Sequence, residues 1–502
     1  MRITNTMISL NTKNNINATK VDVDTYNTQM SSKKKIQNPS EDPVIAIRAL
    51  RLRRTLNQIN QYYEKNIPDA QSWLEATETA LINVKDLVTD IYNQCVYGSN
   101  DSLETDDRDA ILKNLKQLRE QIYSEGNSDY SGRTIFTGYK TNQGLTFPAN
   151  DKDISYTITE DFSPADVDKI TYLKNKTEVV YGNIDRVAES DLPEAVEVSR
   201  IRLSYNNLDV PADATVKLKY KDGVTGADKD IDVQVKSIKG LTKDQIDAMY
   251  PPAADEAYFI PETGEILLGS DVAKTLEGNV KDISFTYDKT GFEKDELMPE
   301  HFFTCQQRKN VDGNIVTKDF VKEANPIEYT VSFNQSIKIN TEASEFLSAD
   351  MKRDLDDLIS SLQASVDVDK KIADIKAMMA DSRYSGEEDQ KKLGTMLEAA
   401  EKEKAYADDY VHKLFEKNVG VWQDNLNNVN LALTDCGSRA SRLKLTYTRM
   451  GSQQTTFQKL KSSNEDRDIS DIIIDYTAAY TAYQSSLTAA SKANSQTLLN
   501  FI

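Results

Sequence analysis

Residues 476–501, YTAAYTAYQSSLTAASKANSQTLLNF, carry the pattern that decides the fold. Large and small residues in this stretch alternate spacings of four and three, which is the pattern of a helix that packs along one seam. The seam positions are Tyr476, Tyr480, Tyr483, Leu487, Ala490, Asn494, Thr497 and Phe501. Because the seam includes small and polar residues, it is weak as a self-contained coiled coil and suits packing within a larger assembly.

The other end of the chain also carries apolar stripes at helical spacing. One stripe comprises Ile3, Met7 and Leu10, and a second, in shifted register, comprises Ile16, Val23, Tyr26 and Met30. Asparagine and threonine are frequent between them, and both compete with the helix for backbone hydrogen bonds. We therefore expect this segment to be marginal alone and to become ordered on a partner.

Helix-breaking residues are concentrated in the middle of the chain. Nine of the twelve prolines fall between Pro148 and Pro326. The flanks, about 1–125 and 343–502, are poor in proline and glycine and carry apolar residues at spacings of three and four. This pattern predicts two long helical ends around a region rich in turns.

Interruptions are predicted at three places in the helical flanks. Pro68 predicts a kink or a short break, because proline cannot donate a backbone hydrogen bond. Residues 381–388 predict a second break. Apolar positions within 111–122 predict a separate helix, with Asp106 and Asp107 ahead of it as an N-terminal capping region.

The middle, about 145–340, alternates polar and apolar residues with period two, which predicts β-strands. The alternating segments are 154–158, 214–220 and 231–235. Residues 258–268 predict a further hairpin, and 284–287 and 329–339 complete the β-rich part. Turn-rich residues 221–226 and 262–264 predict two hairpins. For the two ends to share a core, the chain must leave the helical part and return, so the β-rich middle is expected to be an insertion. The expected fold class is α+β.

The net charge of the chain limits the kinds of partner that it is expected to bind. The chain of 502 residues has a formal net charge of −19 and contains no run of 18 apolar residues. Such an acidic balance argues against nucleic acid and against an anionic membrane surface. The N-terminus lacks the apolar core of a secretory signal peptide, so we expect either a cytoplasmic protein or export without a cleaved signal.

Residues with catalytic or metal-binding chemistry are sparse. His301 and His412 are the two histidines, and neither belongs to an HExxH zinc motif. The three cysteines are far apart and suggest neither a disulfide framework nor a metal site. Residues 310–314 fit a β-turn better than a calcium loop. No nucleotide-binding or nucleophile motif is present in the sequence, so we expect no catalytic, cofactor or metal site and no enzyme.

Several motifs resemble the flagellar hook-associated protein 3 family. They are the start Met1-Arg2-Ile3-Thr4-Asn5-Thr6-Met7, the segment Pro39-Ser40-Glu41-Asp42-Pro43, the segment 132–140 (GRTIFTGYK) with Gly132 and Gly138, residues 437–439, residues 464–472, and the ending 498–502. Physically, the second segment is a turn in which Pro43 takes a favourable first position of the next helix. The resemblance covers about 1–145 and 420–502.

The resemblance implies an elongated flagellin-like helical stem of N- and C-terminal coiled-coil helices with an inserted β-rich outer domain. Five segments follow: an N-terminal assembly segment at 1–42, loose in the monomer; a stem part with a short hairpin at 43–145; the outer domain at 146–342; a second stem part at 343–463; and a C-terminal assembly helix at 464–502. The assembly interface would consist of the terminal stripes named above.

The resemblance also implies a role and partners. Such a subunit would be exported unfolded to the extracellular flagellum and would form the hook–filament junction, the platform for flagellin filament growth. Its partners would be other copies of itself, a hook-associated protein on the hook side, flagellin on the filament side, and a cytoplasmic export chaperone.

Two other interpretations stay open. Flagellin, the filament subunit, shares the helical ends and the inserted outer domain. An exported flagellin-like protein with an enzymatic or adhesive insert at 145–340 belongs to another class, although no motif in that insert indicates chemistry.

Overall fold

The structure, a computed structural model, describes residues 5–100, 104–176, 178–179, 184, 192–278, 280–311 and 314–495. The chain divides into two compact units. The terminal unit comprises Met1–Gln71, Tyr329–Ile337 and Ala440–Ile502, and the central unit comprises Ser72–Glu328 and Lys338–Arg439. Each unit draws on both halves of the chain, so each is closed by contacts between residues far apart in sequence.

Helices and strands follow one another along the chain. The helices are α1 (Asn5–Ser32), α2 (Pro43–Gln61), α3 (Ile67–Gly98), α4 (Thr105–Gln121), α5 (Lys243–Asp247), α6 (Ser270–Glu277), α7 (Met351–Ala380), α8 (Glu387–Glu465) and α9 (Ile469–Ser495). The strands are β1 (Asp129–Tyr130), β2 (Arg133–Thr134), β3 (Asp151–Phe162), β4 (Val167–Lys174), β5 (Glu194–Arg202), β6 (Thr215–Asp222), β7 (Asp228–Val235), β8 (Ala257–Ile260), β9 (Glu265–Leu268), β10 (Val280–Phe292), β11 (Thr304–Val311), β12 (Asn314–Phe320), β13 (Glu328–Ser332) and β14 (Gln335–Lys338).

The helices of the flanks are interrupted where the sequence predicts. A π-helical turn at Tyr62–Asn66 separates α2 from α3 just before Pro68, whose ring nitrogen cannot donate to the preceding turn. The segment between α7 and α8 lies within 381–388. At the start of α4, Asp107 accepts a hydrogen bond from the backbone N–H of Glu104 at 3.3 Å, which completes a capping box.

A ten-stranded sheet forms the middle of the central unit. Its strand order is β12-β11-β3-β10-β6-β7-β8-β9-β5-β4. Neighbours are antiparallel except for the parallel pair β7–β8. Both predicted hairpins are confirmed, β6–β7 around 223–227 and β8–β9 around 261–264. The predicted α+β fold class is confirmed as well.

Aromatic and branched side chains fill the interior of this sheet. Ile158, Phe259, Ile266 and Ile283 have no exposed surface. The rings of Phe259 and Phe285 meet edge-on with their centroids 5.2 Å apart. These are the large apolar residues that favour a pleated, buried surface, so burial is the main stabilising contribution here.

The last predicted strand pair does not join this sheet. Residues 329–339 were expected to complete the β-rich insert, but β13 and β14 form a separate two-stranded sheet. Most of this hairpin groups with the terminal unit. The reason lies in its partners: Asn66 donates to the Thr330 carbonyl at 2.8 Å, and the Tyr62 and Phe333 rings meet edge-on at 5.6 Å.

Buried charges link β5 to α7 within the central unit. Arg202 donates to Asp357 at 2.8 Å and also pairs with Asp354, while Arg200 pairs with Asp357 and Glu265. Burial by itself would raise the pKa of Asp357, but the guanidinium groups of Arg200, Arg202 and Arg353 outweigh it and the pKa is lowered. Paired in this way, the carboxylate can stay ionised inside the protein.

Candidate assembly surface

The two terminal helices pack against each other in the terminal unit. The chain enters α9 beside the end of α1, because Lys34 and Asp466 form an antiparallel β-bridge. From this point α1 and α9 run together along their lengths in opposite directions. We call these two helices the terminal pair.

Each helix of the terminal pair contributes one half-buried stripe. On α1 the stripe consists of Thr12, Ile16, Thr19, Val23, Tyr26 and Met30, and on α9 it consists of Ile472, Tyr476, Ala479, Tyr483, Ser486 and Ala490, with Ile472 fully buried. Both stripes alternate spacings of four and three, so they face each other as the seam of an antiparallel coiled coil. Threonine, serine and alanine give the seam little apolar surface to bury.

The structure brings seven of the sequence-predicted residues into this seam. They are Ile16, Val23, Tyr26, Met30, Tyr476, Tyr483 and Ala490. The sequence pattern missed Thr12, Thr19, Ala479 and Ser486, because small and polar residues are not recognised as seam positions. A step of four residues back from Tyr476 reaches the apolar Ile472. This step was the signal in the sequence for the positions of α9 that face α1.

Four predicted residues of the terminal pair lie outside the seam. Met7 is 47% exposed, Leu10 is 55% exposed, and Tyr480 and Leu487 are each 43% exposed. Ile3, Thr497 and Phe501 lie outside the described residues. The predicted seam is thus divided into an inner half that packs within the chain and an outer half with apolar surface in water.

The two connections to the terminal pair are bonded to each other. The backbone N–H of Lys35 donates to the Glu465 carbonyl at 2.8 Å, and that of Arg467 donates to the Lys33 carbonyl at 3.1 Å. Arg467 also donates from its side chain to Gln29 at 2.6 Å. The segment that follows α1 and the segment that precedes α9 therefore lie next to each other at the same end of the terminal pair.

Glu465 is the ionic centre of this crossing. Its side chain is 4% exposed, and Arg53 donates to it twice, at 2.7 and 2.6 Å. The Lys34 ammonium lies 3.4 Å away. The hydrogen bonds from Arg53 are the main reason that the pKa of Glu465 is lowered. This carboxylate fastens the end of α8 to α2 and to the residues that follow α1.

The segment 39–43 forms a capped turn beside the crossing. The Glu41 carboxylate accepts hydrogen bonds from the backbone N–H groups of Gln37 at 2.9 Å and Asn38 at 3.1 Å. Asp42 is the N-cap of α2 and Pro43 its first residue, as the sequence predicts. Pro39 and Ser40 complete the turn.

The other predicted turn lies in the central unit. Ser131 and Gly132 join β1 to β2 with φ angles of 53° and 75°, and Gly138 has a φ of 61°. The Gly132 N–H donates to the Asp129 carboxylate at 3.1 Å. Glycine suits Gly132 and Gly138 because a Cβ is strained at positive φ.

His301 and the three cysteines are buried. The three cysteines are free and buried, and burial lowers the pKa of His301 to about 4, so its imidazole is neutral at pH 7. Within the described ranges, no group of three or more potential ligands could hold a metal ion, and no helix is long and apolar enough to cross a membrane.

The two ends of the chain match known families. A model described as the bacterial flagellin N-terminal helical region matches residues 3–141, and one described as the C-terminal helical region matches residues 419–502. The two matches lie at opposite ends of the chain and leave residues 142–418 unmatched. Helix α1 lies within the first matched region and α9 within the second, so the terminal pair joins the two.

Two curated relatives share part of the sequence. The chain is 35% identical over 117 residues to flagellar hook-associated protein 3 of Escherichia coli (strain K12), which is 23% of this chain and 37% of the relative. It is 35% identical over 114 residues to the protein of that name from Salmonella typhimurium, which is 22% of this chain and 36% of the relative. The matches therefore span little more than a third of each relative.

A solved structure from Vibrio parahaemolyticus, described as a flagellar hook-associated protein, also resembles the chain. It is 14% identical, and the match covers 85% of this chain and all of the other, with a TM-score of 0.36. A similarity at this level has no bearing on function.

Proposed function

We propose that this chain is a structural subunit of the bacterial flagellum and not an enzyme. It is the hook-associated protein that forms the hook–filament junction and the platform for flagellin filament growth. The observation that carries the proposal is the combination of both flagellin terminal regions with 35% identity to two flagellar hook-associated proteins 3.

The terminal pair supplies the physical basis of assembly. Its seam is half-buried, and apolar side chains such as Leu10 and Leu487 stand in water on the outside. Two helices held by so little buried surface are marginal, since ordering each residue costs about 1–2 kcal/mol of conformational entropy. Neighbouring subunits would cover the outer side chains and offset this cost, so full order would come with incorporation.

The proposed role brings a set of partners. The subunit packs on copies of itself in the wall of a tube, on another hook-associated protein on the hook side, and on flagellin on the filament side. A cytoplasmic chaperone holds it before export, and its final location is the extracellular flagellum. The net charge of −19 keeps the chains apart before assembly.

Flagellin itself is the second candidate. Both matching family models are those of flagellin, so the same terminal regions could serve a filament subunit. A junction subunit must match two different lattices, whereas a filament subunit matches only its own.

Gold-labelled antibodies on intact cells of the source organism distinguish the two candidates. We expect one labelled band between hook and filament. Label along the whole filament would instead identify a flagellin. Absence of flagellar label in cells that express the chain would overturn the flagellar role altogether.

A further inference from the structure

A cleft of about 580 Å³ lies within the central unit. Its walls come from residues 160–168 at the end of β3 and the start of β4, from residues 344–357 at the start of α7, and from residues 414–428 of α8. Small-molecule sites in proteins commonly measure about 300–1,000 Å³, so the cleft has room for a ligand. We call it the acidic cleft.

The lining of the acidic cleft carries more negative than positive charge. Eight of the side chains that line it are carboxylic acids, whereas Arg202 and Lys417 are its two cations. Both cations already have partners, because Arg202 pairs with Asp354 and Asp357, and Lys417 pairs with Asp168. The remaining carboxylic acids therefore leave a surplus of negative charge in the cleft.

Two of these acids, Glu160 and Asp350, flank the same residue. The Ser204 N–H donates to Glu160 at 3.2 Å, and the Ser204 hydroxyl donates to Asp350 at 2.9 Å. Neither acid forms an ion pair among the described residues. Burial, and after it the negative charge of Asp350, raises the pKa of Glu160 to about 8. A positive charge held between the two acids would relieve their repulsion.

Buried asparagines on α8 indicate that the occupant is polar. Asn418 and Asn425 are 4% and 7% exposed, and both line the cleft. The Asn418 side-chain amide donates to the Leu414 carbonyl at 2.9 Å, but its Oδ1 accepts no hydrogen bond in the described part of the chain. Asn425 has no hydrogen-bond partner there at all. Because a buried amide without a partner is costly, a ligand that donates hydrogen bonds would stabilise this wall.

We propose that the acidic cleft binds a small organic polyamine, a molecule in which methylene chains join several ammonium groups. Ammonium groups only donate hydrogen bonds, and Glu160, Asp350 and Asn425 offer oxygen atoms that accept them. Phe162 and Phe302 also line the cleft, and aromatic rings attract cations and pack against methylene groups. Within the described ranges no three potential ligands are arranged to hold a metal ion, which favours an organic cation. This binding activity goes beyond the proposed structural role and does not depend on it.

Calorimetric titration of the full-length chain with spermidine tests the proposal. Triethylene glycol, an uncharged chain of similar length, is the matched control ligand. We expect one saturable site for spermidine and none for triethylene glycol. Spermidine should also raise the urea midpoint followed by the fluorescence of Trp73 and Trp422, because a ligand of the folded state stabilises it.

Variants of the lining test where spermidine binds. Asp350→Asn should weaken binding about tenfold or more, because it removes one of the charges that face the ligand. Asp374→Asn is the matched control: it makes the same change of charge at an exposed residue of α7 that does not line the cleft, and it should leave the affinity nearly unchanged.

Position 425 separates binding from packing. Asn425→Leu should weaken spermidine binding about tenfold, because the apolar side chain accepts no hydrogen bond. Asn425→Asp should strengthen it, because a carboxylate accepts hydrogen bonds and carries a charge. A residue that only packs would not shift the affinity in opposite directions. The urea midpoint without ligand confirms that each variant is folded.

The outcomes that contradict the proposal are distinct. Equal losses in Asp350→Asn and Asp374→Asn would mean that spermidine responds to the overall charge of −19, which overturns the site. Absence of saturable binding, or equal stabilisation by triethylene glycol, overturns it as well. Saturable binding of Mg²⁺ that Asp350→Asn abolishes, without binding of spermidine, would identify a metal ion as the occupant and overturn the proposal. Gold labelling tests the flagellar role separately from all of these results.

Discussion

The central unit and the terminal pair differ in how many apolar side chains they bury. The ten-stranded sheet has a continuous interior of fully buried aromatic and branched residues, such as Phe259 and Ile266. In the terminal pair, Gln29 and Ile472 are the two buried side chains among those the structure describes. Burying apolar surface contributes about 25 cal/mol per Å². The ten-stranded sheet therefore gains much stability from its own interior, whereas the terminal pair gains little and depends on neighbouring molecules.

The unfolding of the central unit can be measured separately from that of the terminal pair, because tryptophan fluorescence reports on the central unit. Trp73 and Trp422 are the two tryptophans of the chain, and both are buried in the central unit. Their fluorescence therefore follows the unfolding of the central unit, whereas incorporation into flagella would depend on the terminal pair under the proposed function.

The largest effect is expected from deleting residues 470–502, which removes α9 after its first residue. Incorporation into flagella should be abolished, because α1 loses its partner, while the tryptophan-monitored urea midpoint should stay unchanged. Gold labelling and urea titration measure the two results. A truncated chain that still assembles would show that the terminal pair is not the assembly element.

Phe259→Ala should have the complementary effect. Removing a fully buried ring from the sheet should lower the free energy of unfolding by about 3–5 kcal/mol. The tryptophan-monitored urea midpoint should fall accordingly. The exposed Phe333 of the terminal unit, 44% accessible, provides the matched control: Phe333→Ala should leave that midpoint nearly unchanged. Equal losses at both sites would mean that the two units unfold as one.

Glu465→Gln should weaken the crossing at the base of the terminal pair. Losing charge-assisted hydrogen bonds should cost about 1.5 kcal/mol at pH 7, the low end of the usual range because Arg53 is half exposed. Since the pKa of Glu465 is lowered in the folded state, its contribution is present above the ordinary pKa of glutamate and is lost as the pH falls through the lowered value.

Hydrogen exchange of α9 amides measures this prediction. Protection should fall in Glu465→Gln at pH 7 and match the wild type in acid. Asp471→Asn, in α9 itself, changes a carboxylate that has no ion pair among the described residues and should alter protection little. A difference between Glu465→Gln and the wild type that persists in acid would assign the effect to packing and not to charge.

Glu160 should give the central unit a pH dependence of the opposite sign. Burial raises its pKa from 4.5 to about 8, although it accepts hydrogen bonds from Tyr287 and from the Ser204 N–H. An acid with a raised folded pKa stabilises the fold below its ordinary pKa, and this contribution is lost as the pH rises towards about 8. Glu160→Gln should therefore raise the urea midpoint more at pH 8 than at pH 5. Glu197→Gln, which changes an exposed carboxyl group on β5, should show no such trend.

The smallest change in monomer stability is expected from Leu487→Asp. Leu487 is 43% exposed and lies outside the seam, so the free energy of unfolding should change by less than about 0.5 kcal/mol. Incorporation into flagella should nevertheless decrease, because a charge would enter the contact with a neighbour. A large loss of α9 protection in the monomer would show that Leu487 is already packed before assembly.

The sequence allowed much of the fold to be predicted, because buried positions recur along a helix or strand with a regular period and are occupied by apolar residues. Strands such as β6 and β7 alternate clearly, and Asp42 with Pro43 marks the start of α2. The hairpin β11–β12 was missed. Strand β12 is the edge of the sheet and most of its side chains are exposed, so no alternation of apolar and polar residues is required there.

The seam of the terminal pair was predicted only in part for a related reason. Tyr480 and Leu487 fit a heptad spacing as well as Ala479 and Ser486 do. The larger, more hydrophobic side chains were therefore chosen as the seam positions. Small residues take the inner positions because they let the helices approach closely, which leaves the larger ones outside. The acidic cleft has no sequence signature of its own, since its walls come from parts of the chain that lie far apart in sequence.

The crossing between Lys34 and Asp466 joins residues separated by 432 positions in the sequence. Contacts of such long range form late, since the intervening chain must first be closed into a loop. The terminal pair can therefore form only after α9 has been synthesised, and until then α1 has no helix to pack against. The surface proposed for assembly thus becomes available only after residues 5–32 and 469–495 have both been synthesised and have met.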